Sequence, residues 1–180
     1  PIMPALRVDA ANRDALMRRF GLGARPAVAL MPGAAYGPAK QWPISHFAEL
    51  AGLLAARGFE VWVLGSAGER VLGEQIRGVS NLCGQTSLED AVDLLSAARA
   101  AVTNDSGLMH VAAAAGTHVV AIYGSSSPDF TPPLTAHKTV LYQALACSPC
   151  FRRECPLTHL NCLREITPHR VADALKDTVP

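Results

Sequence analysis

The sequence lacks several things whose absence narrows its function. No apolar run approaches the ~20 residues that a membrane-spanning helix needs, so a soluble chain is expected. Neither charge sign dominates: sixteen basic against fifteen acidic residues leave a formal net charge of +1. Bulk charge therefore gives no reason to expect a nucleic-acid partner. Five cysteines among 180 residues are too few for a disulfide scaffold, and an odd number cannot close into pairs. The first 24 residues hold no apolar segment of the kind a signal peptide carries, and a reducing cytoplasm is the expected compartment. Three motifs are missing as well: the G-x-S-x-G nucleophile elbow, the Walker A loop and the G-x-G-x-x-G dinucleotide fingerprint.

What is present is an alternating pattern. At 49% hydrophobic residues the chain has the material for one packed domain. Asp9 is positioned to cap a helix through Phe20 with Gly21 as its stop, and the arginines around it (Arg7, Arg13, Arg18, Arg19, Arg25) read as a solvated face. The run from Ala27 to Met31 is short and wholly apolar, as in a strand buried on both faces. A Gly/Pro-rich loop, Pro32 to Pro43, precedes a helix from Ser45 to Arg57. A strand over Phe59 to Leu64 leads through Gly65-Ser66-Ala67-Gly68 into a helix reaching about Arg77. Thr86 and Glu89, three apart, read as a capping box for a helix ending near Ala98. Then follow a strand from Ala101 to Thr103, a turn over Asn104 to Gly107, a small-residue helix from Leu108 to Ala115 and a strand from His118 to Tyr123. Thr167-Pro168 opens the last helix. Strands alternating with helices over short connections predict a doubly wound α/β domain with a parallel, Rossmann-like sheet. Such sheets bind ligands at the carboxyl ends of their strands.

Three loops at those ends are candidates. In Pro32 to Pro43, Lys40 is one of only three lysines beside thirteen arginines; a compact ammonium there suits a diphosphate, and the alternative is a surface lysine over Trp42. In Asn104 to His110, Asp105 or Ser106 caps the next helix, Gly107 lets a ligand approach the backbone, and His110 lies one turn in; the alternative is ordinary helix-start chemistry. Ser66 and Ala67, with Thr86 and Ser87, could shape a purine pocket or serve only as turns and caps. Separately, Cys147, Cys150, Cys155 and Cys162 surround His159. Four thiolates can hold zinc, yet only one C-x2-C knuckle is present, and the segment reads as a reduced loop whose Arg152, Arg153 and Arg164 face an anionic partner. A metal-binding module is the alternative.

Four motifs in order, Pro-Gly-Ala-x-Tyr-Gly-Pro-Ala-Lys-x-Trp-Pro at Pro32, Gly-Ser-Ala at Gly65, Thr-Asn-Asp-Ser-Gly-Leu-Met-His at Thr103 and Tyr-Gly-Ser-Ser-Ser-Pro-Asp-Phe-Thr-Pro-Pro at Tyr123, resemble those of the bacterial lipopolysaccharide heptosyltransferase II family. The likeness runs from about Pro26 to the end. It implies the C-terminal lobe of a GT-B glycosyltransferase, which binds ADP-L-glycero-D-manno-heptose and passes the heptose, with inversion, to the heptosyl-Kdo2-lipid A inner core. Heptosyltransferases I and III or another GT-B nucleotide-sugar enzyme are the neighbouring alternatives. On this chain the resemblance implies that Lys40, with Tyr36 and Gly37 in its loop, neutralises the diphosphate. It places Ser106 and Gly107 amides on the phosphates, Asp105 by the heptose hydroxyls, His110 by phosphate or sugar, and Ser66, Ala67, Thr86 and Leu88 around adenine and ribose. It implies no metal or other cofactor, and a peripheral contact with the cytoplasmic face of the inner membrane. The expected division is a linker and short helix over 1–25 and the ADP-heptose-binding domain over 26–180. Nothing before Pro26 resembles an acceptor lobe, where the family's general base is expected, so the chain is expected to be inactive by itself.

Overall fold

The computed structural model describes residues 2–176; Pro1 and residues 177–180, the outermost parts of the two expected segments, lie outside the described residues. Six strands form one sheet: β1 (Ala27–Met31), β2 (Glu60–Val63), β3 (Ser80–Asn81), β4 (Ala100–Asn104), β5 (His118–Tyr123) and β6 (Lys138–Tyr142). Every pairing is parallel, in the order β3-β2-β1-β4-β5-β6. The doubly wound α/β architecture expected from the alternation is the one observed. The order reverses at β1, which has β2 on one side and β4 on the other.

The wholly apolar sequence of β1 follows from this central place. Side chains alternate across a strand, so Val28 and Leu30 point to one layer and Ala27, Ala29 and Met31 to the other, all of them buried. The first layer holds α2 (Ile44–Ala56), α6 (Asn161–Arg164) and α7 (Pro168–Ala174), through Phe47, Leu50, Leu54, Leu163 and Val171. The second holds α1 (Ala10–Phe20), α4 (Leu88–Ala97) and α5 (Gly107–Ala114), through Leu16, Leu94, Leu95, Met109 and Ala112. The remaining helix, α3 (Arg70–Glu74), lies between β2 and β3.

Local chemistry sets most boundaries. Asp9 accepts from Asn12 N–H at the start of α1, and Gly21 ends it in the left-handed conformation at φ 65°, as expected. Thr167 caps α7, with Pro168 in its first turn. The expected capping box at Thr86 and Glu89 is corrected by one residue. Ser87 is the cap, exchanging bonds with Asp90, which leaves Thr86 outside the helix. The expected helix up to Arg77 is also shortened: a 3-10 turn at Ala67–Glu69 leads into α3, which ends at Glu74. Two strands and a helix (β3, β6 and α6) have no counterpart in the sequence reading. Both strands lie at the edges of the sheet, and β6 is only partly buried.

Helix α1 is bound to α4 by polar contacts. The Asn12 side-chain amide donates to Asp90 Oδ1 at 2.9 Å and Asp93 Oδ2 at 2.8 Å, and Asp9 N–H donates to Asp93 Oδ1 at 2.8 Å. The Asn12 bond, followed by that from Ser87 N–H, holds the Asp90 carboxyl below its ordinary value of 3.8. A depressed carboxyl stabilises the fold above its unfolded pKa, and that contribution is lost as pH falls through the folded value. Asp90→Asn should therefore cost about 1 kcal/mol at neutral pH. The deficit should fade as pH falls through the depressed folded pKa and the wild-type carboxyl is protonated too; urea denaturation across pH measures it.

Candidate functional site

At the carboxyl ends of the strands, where β1 and β4 part, the loops leave a cavity of about 320 Å³. The loop after β1 contributes Gly33 to Ala35, that after β2 Ser66 and Glu69, the turn into α4 Thr86 to Leu88, and the turn after β4 Ser106 to Leu108. Six of the residues singled out from sequence thus share one cavity: Ser66, Thr86, Ser87, Leu88, Ser106 and Gly107. Ala67 does not line it and packs instead against Gly84. His110 is exposed on α5 and does not line it either.

Beside the cavity, one residue along the chain from Ser106, stands an ion pair. Lys40 Nζ lies 2.7 Å from Asp105 Oδ2, with the two side chains 17% and 5% exposed. Lys40 ends a 3-10 turn, Pro38–Lys40, and its ammonium sits 4.7 Å from the centroid of the exposed Tyr36 ring, over which Arg153 is also placed at 5.6 Å. Tyr36 is fixed in turn, its hydroxyl donating to Phe151 O at 2.6 Å. Gly37 brings two segments together: its φ is 153°, and a Cβ there would meet Arg153 O at 2.6 Å, where Ala39 N–H also donates at 3.0 Å. Tyr36, Gly37, Lys40 and Asp105 form a cluster around this ion pair against the 151–153 segment, next to the cavity rather than in its lining.

Two residues that sequence reasoning did not single out for a site hold it in place. Asn104, fully buried at the end of β4, accepts from Trp42 N–H at 2.9 Å and donates to Pro32 O at 2.8 Å. One amide side chain thereby closes both ends of the Lys40 loop. Trp42 is anchored further by its indole N–H, 2.8 Å from Ile166 O. Glu69 lines the cavity, accepts from Ser66 N–H at 2.7 Å and lies over Gly33 and Gly65, where a Cβ on either glycine would collide with its carboxylate. The three glycine-bearing loops were the available signal: an acidic side chain four residues after Gly65, and glycines making room for it.

The helices near the site differ at their starts. Asp9, Ser87 and Thr167 cap α1, α4 and α7 with side-chain bonds. At α5 the cap position is Ser106, as one of the two expected residues, but its side chain makes no cap bond; Asp105 is turned to Lys40 instead. Met109 N–H donates to Ser106 O at 3.2 Å. The Gly107 and Leu108 N–H groups are thus left for another acceptor, at the end of the helix where the macrodipole favours an anion. With Lys40 adjacent, the arrangement suits a diphosphate, and the cavity beyond suits the body of a nucleoside.

Cys147, Cys150, Cys155, Cys162 and His159 gather around a cavity of about 20 Å³. Backbone N–H groups, Leu160 first, lower the Cys155 thiol, while burial raises Cys162. Among the described residues no group of three or more His, Cys, Asp or Glu is disposed to hold a metal ion. Among the same residues no helix is long and apolar enough to cross a membrane.

The family model of glycosyltransferase family 9 (heptosyltransferase) matches residues 1–161. Lipopolysaccharide heptosyltransferase 2 of Salmonella typhimurium is 40% identical over 184 residues, covering 97% of this chain and 53% of that protein. Lipooligosaccharide heptosyltransferase 2 of Haemophilus influenzae is 42% identical over 154 residues, covering 78% and 44%. The solved structure of Escherichia coli ADP-heptose LPS heptosyltransferase II is 40% identical, with a TM-score of 0.85, over 98% of this chain and 54% of that one. The chain spans about half the length of the relatives it matches.

Removing Lys40 strands a carboxylate that is 5% exposed. Lys40→Ala should therefore lower the unfolding free energy by about 3 kcal/mol. Adding Asp105→Ala should recover part of the loss, since the unpaired charge is then gone; a double-mutant cycle in urea measures this.

Proposed function

The chain belongs to glycosyltransferase family 9, the heptosyltransferases, and from that premise we propose that it forms the donor-binding part of an enzyme that transfers heptose from ADP-L-glycero-D-manno-heptose to the lipopolysaccharide inner core. The observation that carries the reading is the pairing of an uncapped α5 N-terminus with the Lys40–Asp105 pair, at the mouth of a nucleoside-sized cavity on the β1/β4 switch point.

In this reading the adenosine occupies the cavity. Ser66, Thr86 and Leu88 lie around it, and Glu69 accepts from ribose hydroxyls. The diphosphate meets the N–H groups of Ser106 and Gly107 and the Lys40 ammonium. Asp105 accepts from heptose hydroxyls. Transfer breaks the bond between the anomeric carbon and the β-phosphate oxygen, and negative charge grows on the departing ADP. A fixed ammonium and a helix N-terminus stabilise that charge more than they stabilise the ground state, which is how they lower the barrier. Tyr36 and Gly37 serve by holding Lys40 at its post. The base that takes the acceptor proton belongs to the other half of the enzyme. Because the acceptor is a membrane lipid, the enzyme works at the cytoplasmic face of the inner membrane, in peripheral contact with it. His110 is exposed one turn into α5, outside the cavity lining.

Calorimetry on the chain tests the donor reading. ADP should bind, and UDP should bind measurably more weakly; equal affinity for the two would count against it. Lys40→Ala should weaken ADP by about 1.5–3 kcal/mol, the range for a bond to a charged group. Glu69→Gln should cost less and should weaken adenosine and ADP alike, because its contact is with the ribose.

A further inference from the structure

Resting on the donor-site reading, we propose that Thr131 is a positioning residue of the same site, holding the Asp105 carboxylate in place for the hydroxyl groups of the transferred sugar. Thr131 lies in the loop between β5 and β6. Its hydroxyl is 3.1 Å from Asp105 Oδ2 and 3.5 Å from Ser127 O. A hydroxyl has one proton to give; the carboxylate is nearer and charged, so it receives that proton's bond.

The main chain of Thr131 is itself held. Its N–H donates to Ser127 O at 3.2 Å, and its carbonyl accepts from the Tyr123 hydroxyl at 2.5 Å. Tyr123 is fully buried at the end of β5. Burial first, and then the charge of Asp105, push its phenol well above the ordinary range, so it stays protonated and remains a donor. A continuous line of fixed groups therefore runs from a core strand, through Thr131, to the carboxylate.

The second donor matters because Lys40 has two masters. Lys40 and Thr131 both bond Oδ2, at 2.7 and 3.1 Å, while Oδ1 takes no bond from the described residues. When a diphosphate arrives, the ammonium is drawn toward it, and a carboxylate held by lysine alone would lose its orientation. Thr131 does not move with the diphosphate. It keeps one oxygen engaged and leaves the other as an acceptor for a sugar hydroxyl.

The test compares ADP with ADP-heptose by calorimetry on the chain. The wild type should bind ADP-heptose more tightly than ADP. Thr131→Val, which removes the hydroxyl at nearly constant shape, should cut that sugar-dependent gain about tenfold and leave ADP alone within about twofold. Thr131→Ser should restore the gain. A Val variant with an unchanged ratio of the two affinities overturns the role of Thr131 while the donor reading stands. A Val variant that melts as the wild type does and loses both ligands equally overturns it too, since Thr131 would then support the whole pocket. If the Val chain does not fold, Tyr123→Phe carries the test: it frees the Thr131 carbonyl without touching Asp105, and an unchanged ratio there overturns the assignment. A wild type that binds neither ligand ends the donor reading and takes this role with it.

Discussion

The contact between Lys40 and Asp105 ties together the two loops on which the site depends. It joins the segment after β1 to the segment after β4 across the point where the strand order reverses, at 2.7 Å and largely out of water. Two opposite charges that close together in a shielded place are stable only as a pair, because either alone would carry a desolvation cost of several kcal/mol. The neighbouring geometry serves that pair. Asn104 closes both ends of the lysine loop, the Tyr36 ring lies beneath the ammonium, and Thr131 donates to the carboxylate. Since Asp105 faces Lys40, it does not cap α5, and the helix start stays open to a ligand.

The sheet explains why these loops meet at all. An all-parallel sheet sends every strand's carboxyl end to the same edge of the domain, and a reversal of order at β1 separates two adjacent loops there. The buried layers above and below fix the strands, so the loops inherit a rigid base. The contribution of the core to function is therefore positional: Val28, Leu30, Met31 and their neighbours never meet a ligand in the proposed mode, yet they set the distance between Lys40 and α5.

How much of this was legible in the sequence varied with how local the cause was. Asp9, Gly21, Thr167 and Pro168 act within one turn of themselves, and their helix ends stand where expected. The capping box slipped by one residue because Thr86-Ser87 and Glu89-Asp90 offer two registers with the same chemistry, and only the packing chooses between them. β3 has two polar residues and β6 mixes Lys138 and Thr139 with Leu141, so as edge strands neither shows the apolar run or strict alternation that marks a strand. In the site, Lys40, Ser106 and Gly107 were visible because loop position and residue type already suggest a phosphate. Asn104, Glu69 and Thr131 were not, since each acts through a partner distant in sequence or through space opened by glycines.

The central position of β1 has a consequence in time as well as in space. A parallel sheet contains no hairpin that could form early, and its contacts join residues far apart in the chain, as do the 65 positions between Lys40 and Asp105. Closing such loops is slow, because chain entropy is lost before the contacts repay it. A chain emerging in order from its N-terminus, grown only as far as β3, has β1 paired along one side and bare along the other. The candidate pocket is thus a late product of folding: it does not exist until β4 docks against β1, where Val28 pairs with Ala100.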